Sequence, residues 1–128
     1  MDDEVLHDVV IIDDSPIVLR MLGMVLEREA LAVVCAGDGE AGLAAIEASR
    51  PRLVFLDAMM PGLDGYEVCR RIRELDGPDR HTHVIMLTGS SDDQDRDRAE
   101  DAGVDEFMTK PFSPTGVIER VHDVLGGG

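Results

Sequence analysis

Unbroken apolar runs alternate along this chain with amphipathic stretches. Val9-Val10-Ile11-Ile12 and Leu53-Val54-Phe55-Leu56 carry no polar residue, as expected of strands buried on both faces of a parallel sheet. Val84-Ile85-Met86-Leu87 reads the same way, and Leu31 to Ala36 and Val104 to Met108 predict two shorter strands. Helical patterns follow each one. Ser15-Pro16 supplies a hydroxyl cap and a proline at the first helical position, then Val18, Leu22, Val25 and Leu26 recur at helical spacing. Gly37-Asp38-Gly39 turns into a second helix with Asp38 as its cap and Leu43 and Ile46 on one face, ended by Pro51.

After Asp57, a loop marked by Pro61, Gly62, Asp64 and Gly65 leads to a third helix, with Asp64 and Glu67 at capping-box spacing. Tyr66, Cys69 and Ile72 mark its apolar face; Arg70, Arg71 and Arg73 are expected elsewhere, on a solvated face, and Gly77-Pro78 breaks the helix. A second capping box, Ser91 with Gln94, opens a fourth helix from Asp92 to Asp101 that is nearly all charged, with only Ala99 and Ala102 for packing. Such a helix is either a weakly docked responder or simply a solvated face. Ser113-Pro114 then starts a fifth, with Val117, Ile118, Val121 and Leu125 as its stripe.

Five strand–helix units in strict alternation predict one α/β domain over residues 1–128, doubly wound with helices on both faces of the sheet. Gly126-Gly127-Gly128 reads as a tail or the start of a linker.

Composition narrows the function classes. Twenty-seven acidic against twelve basic side chains give a net charge of −15, which repels phosphate backbones and anionic membranes, so direct nucleic-acid or membrane binding is not expected. Aromatic residues make up only 3%, leaving few platforms for base stacking. Cys35 and Cys69 lack metal-ligand spacing and read as free thiols of a reduced compartment. No apolar run is long enough to span a bilayer, and Met1-Asp2-Asp3-Glu4 is unlike a signal peptide, so a cytoplasmic location is expected. His7, His81, His83 and His122 are scattered and read as structural or exposed.

The candidate chemistry lies where the strands end. Asp13 and Asp14 follow the first, Asp57 the third, Thr88 the fourth and Lys110 the fifth. In a parallel sheet these ends share one edge, where ligands bind. Asp57 could merely begin a loop, since Asp favours turns. As a set, however, three clustered carboxylates raise one another's pKa unless a cation neutralises them. Oxygen donors that leave room for water and phosphate suit Mg²⁺. One carboxylate can then attack phosphorus, with Mg²⁺ and Lys110 supplying positive charge and Thr88 a hydrogen bond. Lys110 is the only lysine in a chain whose other basic side chains, histidines apart, are arginine, as if a compact point charge were kept for one place.

Four segments in order carry a resemblance: Val10-Ile11-Ile12-Asp13-Asp14-Ser15, Leu56-Asp57-Ala58-Met59-Met60-Pro61-Gly62-Leu63-Asp64-Gly65, Leu87-Thr88-Gly89 and Lys110-Pro111-Phe112. The chain resembles, from about Asp8 to Leu125, the receiver domain of two-component response regulators. That resemblance implies a flavodoxin-like fold with strand order 2-1-3-4-5. It implies Asp57 as phosphoacceptor from the phosphohistidine of a sensor histidine kinase or histidine phosphotransfer protein. Asp13 and Asp14, with Asp57 and the Met59 backbone carbonyl, would hold Mg²⁺. Thr88 would be the switch hydroxyl, Lys110 the phosphoryl partner joined to Pro111 by a cis bond, and Phe107 the switch aromatic, without the hydroxyl of the more common Tyr. Met59 and Ser90 match positions that tune hydrolysis, and a bulky Met59 is expected to shield the acyl phosphate. Phosphorylation would bias the surface of the fourth helix, fifth strand and fifth helix.

No turnover on a separate substrate is expected. One rival is a small Mg²⁺-dependent phosphatase of the haloacid dehalogenase type, but Asp13-Asp14-Ser15 lacks its Asp-x-Asp pattern and no cap domain is present. The other is a receiver-like binding module that acts without phosphorylation, against which the intact Asp13, Asp14, Asp57, Thr88 and Lys110 set argues. A flavodoxin fits less well, because carboxylates follow the first strand where flavin phosphate needs donors.

Overall fold

The computed structural model describes residues 8–126 apart from 79, 90 and 91. His7, Ser90, Ser91, Gly127 and Gly128 therefore lie outside the described residues. Strands β1 (Val9–Ile12), β2 (Val33–Ala36), β3 (Leu53–Asp57), β4 (His83–Thr88) and β5 (Glu106–Thr109) alternate with helices α1 (Pro16–Arg28), α2 (Gly39–Ser49), α3 (Gly65–Leu75), α4 (Asp93–Ala102) and α5 (Pro114–Leu125). All pairings are parallel, and the sheet order is β2-β1-β3-β4-β5, as the resemblance implies.

Strand periodicity divides the core in two. Val10, Ile12, Val54, Leu56, Val84 and Met86 face Ile46 of α2, Tyr66, Val68, Cys69 and Ile72 of α3, and Ala99 and Ala102 of α4. Val9, Ile11, Leu53, Phe55, Ile85 and Leu87 face Leu22 and Leu26 of α1 and Val117 and Val121 of α5. The unbroken apolar runs are thus explained: β1, β3 and β4 lie under helices on both faces.

Ser15, Asp38, Asp64 and Ser113 cap their helices as expected, each side chain accepting a backbone N–H three residues on. The expected capping box of Ser91 with Gln94 is corrected for α4: its cap is Asp92, one residue later, whose carboxylate accepts the Asp95 N–H at 3.0 Å. The strands predicted at Leu31 to Ala36 and Val104 to Met108 are shifted. Leu31 N–H closes the end of α1 on Leu26, so β2 begins two residues later. Val104 N–H likewise closes α4 on Ala99, and β5 starts only at Glu106. In both places helix-terminal carbonyls take donors that the apolar pattern had assigned to a strand.

Candidate functional site

The C-terminal edge of the sheet is built by strands that end in register. Ile12 pairs with Leu56 and Asp57 with Leu87, so Asp13 follows β1 close to where Asp57 ends β3. Thr88 ends β4 opposite Thr109, and Lys110 N–H donates to the Thr88 carbonyl at 2.7 Å. The Lys110–Pro111 bond is cis, as the resemblance implies.

Side chains converge on this edge. Lys110 Nζ donates to Asp13 Oδ2 at 3.0 Å and approaches Asp57 Oδ1 at 3.4 Å. Asp13 is fully buried and its Oδ1 accepts the Ser15 N–H at 2.9 Å, so the cap of α1 also orients the carboxylate. Asp57 is 5% exposed and accepts the Met59 N–H at 3.3 Å. Asp14 is exposed, yet one oxygen from each of Asp13, Asp14 and Asp57 lies within 4.8 Å of the others, the only such acidic, His or Cys group among the described residues. Thr88 is buried beside them.

Burial and then the charge of Asp13 push the Asp57 carboxyl from 3.8 up to about 6, with Asp14 adding to the rise, against the opposing pull of Lys110 and the Met59 N–H. One lysine therefore does not neutralise this group of acids. Burial alone would lower the Lys110 ammonium, but Asp13 and Asp57 more than offset it, and its pKa lies above the ordinary value. The donor set is all oxygen and short of positive charge, which fits a hard divalent cation such as Mg²⁺.

Phe107 is half-buried against the α4 side of the core, with the Arg96 guanidinium 5.7 Å from its ring centre. The Met59 side chain is 70% exposed, so in this state it stands in solvent rather than folded over Asp57. Asp38 is a cap and Cys35 and Cys69 are free thiols. His81, His83 and His122 pair with Asp105, Glu106 and Glu29, away from the carboxylate cluster.

The expected solvated face of three arginines is corrected. Arg70 and Arg71 do reach out to Glu67, but Arg73 turns inward, 21% exposed, and donates to the carbonyls of Gly103 and Thr82 and to Asp76 and Asp105. Its partners are 3 to 32 residues away, and periodicity carries no signal for them. The sequence pattern marks Gly65 only as part of a loop, but a Cβ there would lie 2.2 Å from the Asp57 carbonyl oxygen. The loop after the carboxylate must fold back this tightly for Gly65 N–H to reach the Ala58 carbonyl at 3.0 Å.

Residues 9–122 match the sequence profile of the response regulator receiver domain. The transcriptional regulatory protein ResD of Bacillus subtilis (strain 168) is 40% identical over 117 residues, 91% of this chain and 47% of ResD. The chain spans about half the length of the curated relatives it matches. The chemotaxis protein CheY4 of Vibrio cholerae superposes with a TM-score of 0.86 over 93% of this chain and 98% of its own; at 24% identity that is likeness of fold. The signal receiver domain of a signal transduction histidine kinase from Syntrophus aciditrophicus gives 0.83 at 31% identity, over 94% of this chain and 91% of that one. Receiver domains typically use Mg²⁺, have histidine kinases as partners, and in general do not act on separate substrates. No helix among the described residues is long and apolar enough to cross a membrane. The chain belongs to the response regulator receiver domain family.

Proposed function

We propose that Asp57 accepts a phosphoryl group from the phosphohistidine of a sensor histidine kinase or a histidine phosphotransfer protein. The observation that carries this reading is a nearly buried carboxylate at a strand end, 3.4 Å from the only lysine and grouped with two further acids. An Asp57 carboxylate oxygen attacks phosphorus as the phosphorus–nitrogen bond breaks, and the imidazole leaves with the bonding pair and takes up a proton. Asp13, Asp14, Asp57 and the Met59 carbonyl would hold Mg²⁺, which supplies charge neutralisation to the phosphoryl oxygens when bound. Lys110 places its ammonium on the same oxygens and Thr88 its hydroxyl.

The added charge then biases the surface of α4, β5 and α5, with Thr88 and Phe107 as the moving parts. The domain has no substrate of its own to turn over. With a net charge of −15 it leaves nucleic acid to any other part of its protein, and it works in the cytoplasm as a single receiver unit. Borohydride trapping after incubation with phosphoramidate and Mg²⁺ tests the assignment: peptide mapping finds a reduced residue at 57, and reduction elsewhere or nowhere refutes it.

Mg²⁺ at a hundred times its Kd adds about 2.7 kcal/mol of stability. A thermal melt titrated with Mg²⁺ reads this as a rising midpoint; a midpoint that ignores Mg²⁺ removes the metal from the account. Met59 and Ser90 set the phosphoryl lifetime. Met59→Asn, which gives water a polar partner beside the acyl phosphate, speeds its hydrolysis by roughly three- to tenfold, a barrier change of about 1 kcal/mol. Decay followed by acid-quenched phosphoprotein gels checks it, and an unchanged rate removes Met59 from control of the lifetime.

A further inference from the structure

α4 is held very unequally along its length. Its only buried residues, Ala99 and Ala102, lie in the C-terminal half. That end is tied down: Gly103 and Val104 N–H groups return to Glu100 and Ala99, and Arg73 donates to the Gly103 carbonyl through Nε at 2.9 Å and Nη2 at 2.7 Å while pairing with Asp105. Ahead of Ala99 the helix has no buried side chain. Two arginines ahead of Ala99 reach neighbouring elements: Arg96 stands 5.7 Å from the Phe107 ring centre, and Arg98, at mid-helix, lays its guanidinium 4.1 Å from the Tyr66 ring centre, with Nη2 3.7 Å from Asp64 Oδ2. Asp64 and Tyr66 flank Gly65, the residue packed against the Asp57 backbone. Arg98 therefore joins α4 to the end of the loop that follows Asp57.

We propose that Arg98 is a positioning residue: its clasp on Tyr66 and Asp64 holds the middle of α4 against the start of α3, where the phosphoacceptor loop ends, in the unphosphorylated state. When it opens, α4 pivots about the end that Arg73 pins. This deepens the proposed function and rests on it for the link to phosphorylation, while the clasp itself stands on geometry alone. Coupling of this kind is reciprocal: if the clasp forms only in the unphosphorylated arrangement, removing it tightens binding of a phosphoryl mimic by the same factor.

Arg98→Ala tests this on the full chain, with Arg70→Ala, an exposed arginine paired with Glu67, as control. Hydrogen–deuterium exchange without metal or phosphodonor is expected to quicken about two- to fivefold in the peptide covering α4 up to Ala99, the scale of an exposed cation–π contact, and to stay unchanged in β1 and β3. Alanine is a slightly better helix former than arginine, so lost helix propensity cannot produce that result. Beryllium fluoride with Mg²⁺ is expected to bind about two- to fivefold more tightly than to the parent chain. Unchanged exchange overturns the clasp, and faster exchange with unchanged fluoride affinity overturns its role in the switch. If the parent chain binds no beryllium fluoride, the phosphoacceptor reading fails, and the exchange result still decides the clasp.

Discussion

With metal chelated at neutral pH, Asp57→Asn melts above the parent chain, by on the order of 2 kcal/mol or several degrees. The folded protein raises the Asp57 carboxyl from 3.8 to about 6, chiefly through burial and Asp13. Between those values the folded state binds more protons than the unfolded one, so stability falls as pH rises from about 4 to about 6 and stays low above it. Asparagine keeps the shape and removes the charge, so the variant lacks this loss. It also gives up a metal ligand, and its response to Mg²⁺ is much smaller than that of the parent. Melts from pH 4 to 8, with chelator and with Mg²⁺, separate the two effects. If the chelated variant were less stable than its parent at pH 7, Asp57 would be a stabilising partner of Lys110 and not a carboxylate held ready for chemistry.

Gly65→Ala is expected to cost roughly 3 kcal/mol, at the upper end of overpacking penalties, and to remove the response to Mg²⁺. The new Cβ would meet the Asp57 oxygen at 2.2 Å, the Ala58 Cα at 2.9 Å and the Asp57 carbonyl carbon at 3.0 Å, all main-chain atoms with no rotamer to yield. Relief must move either the start of α3 or the Asp57 peptide, and the second displaces the carboxylate. Gly62→Ala in the same loop is the comparison. Gly62 has a φ of +78° with nothing within 4 Å of the added carbon, so that variant bears only the left-handed penalty, about 1–2 kcal/mol. Urea unfolding of both variants, with and without Mg²⁺, reads the difference. Equal costs, or a Gly65→Ala protein with full Mg²⁺ response, would show that the close approach does not position Asp57.

Much of this was legible in the chain because burial on two faces leaves a one-dimensional trace. β1, β3 and β4 are covered on both sides, their apolar runs are unbroken, and each run stops at the residue that enters the site. Caps were legible for the same local reason: Ser15, Asp38, Asp64 and Ser113 act on donors three residues away. The strands flanked by less burial, β2 and β5, start two residues later than their apolar patterns predict, where helix ends compete for the same donors. What stayed hidden is long-range and polar. Arg73 serves acceptors across the α4–β5 connection, Arg98 reaches back to α3, and the fold-back that only Gly65 permits depends on a main-chain atom eight residues earlier. None of these has a period, so no pattern of apolar and polar positions could report them.

In the proposed function Asp57 accepts a phosphoryl group with the help of a metal held by its acidic neighbours. Intact mass after incubation with acetyl phosphate and Mg²⁺ addresses it most directly. One phosphoryl addition is predicted for the parent chain, and none for Asp57→Ala or for the parent with metal chelated. An adduct that persists in Asp57→Ala, or no adduct on the parent with the small donor in excess, would contradict it; the second result would favour a receiver-like module that binds its partner without phosphorylation.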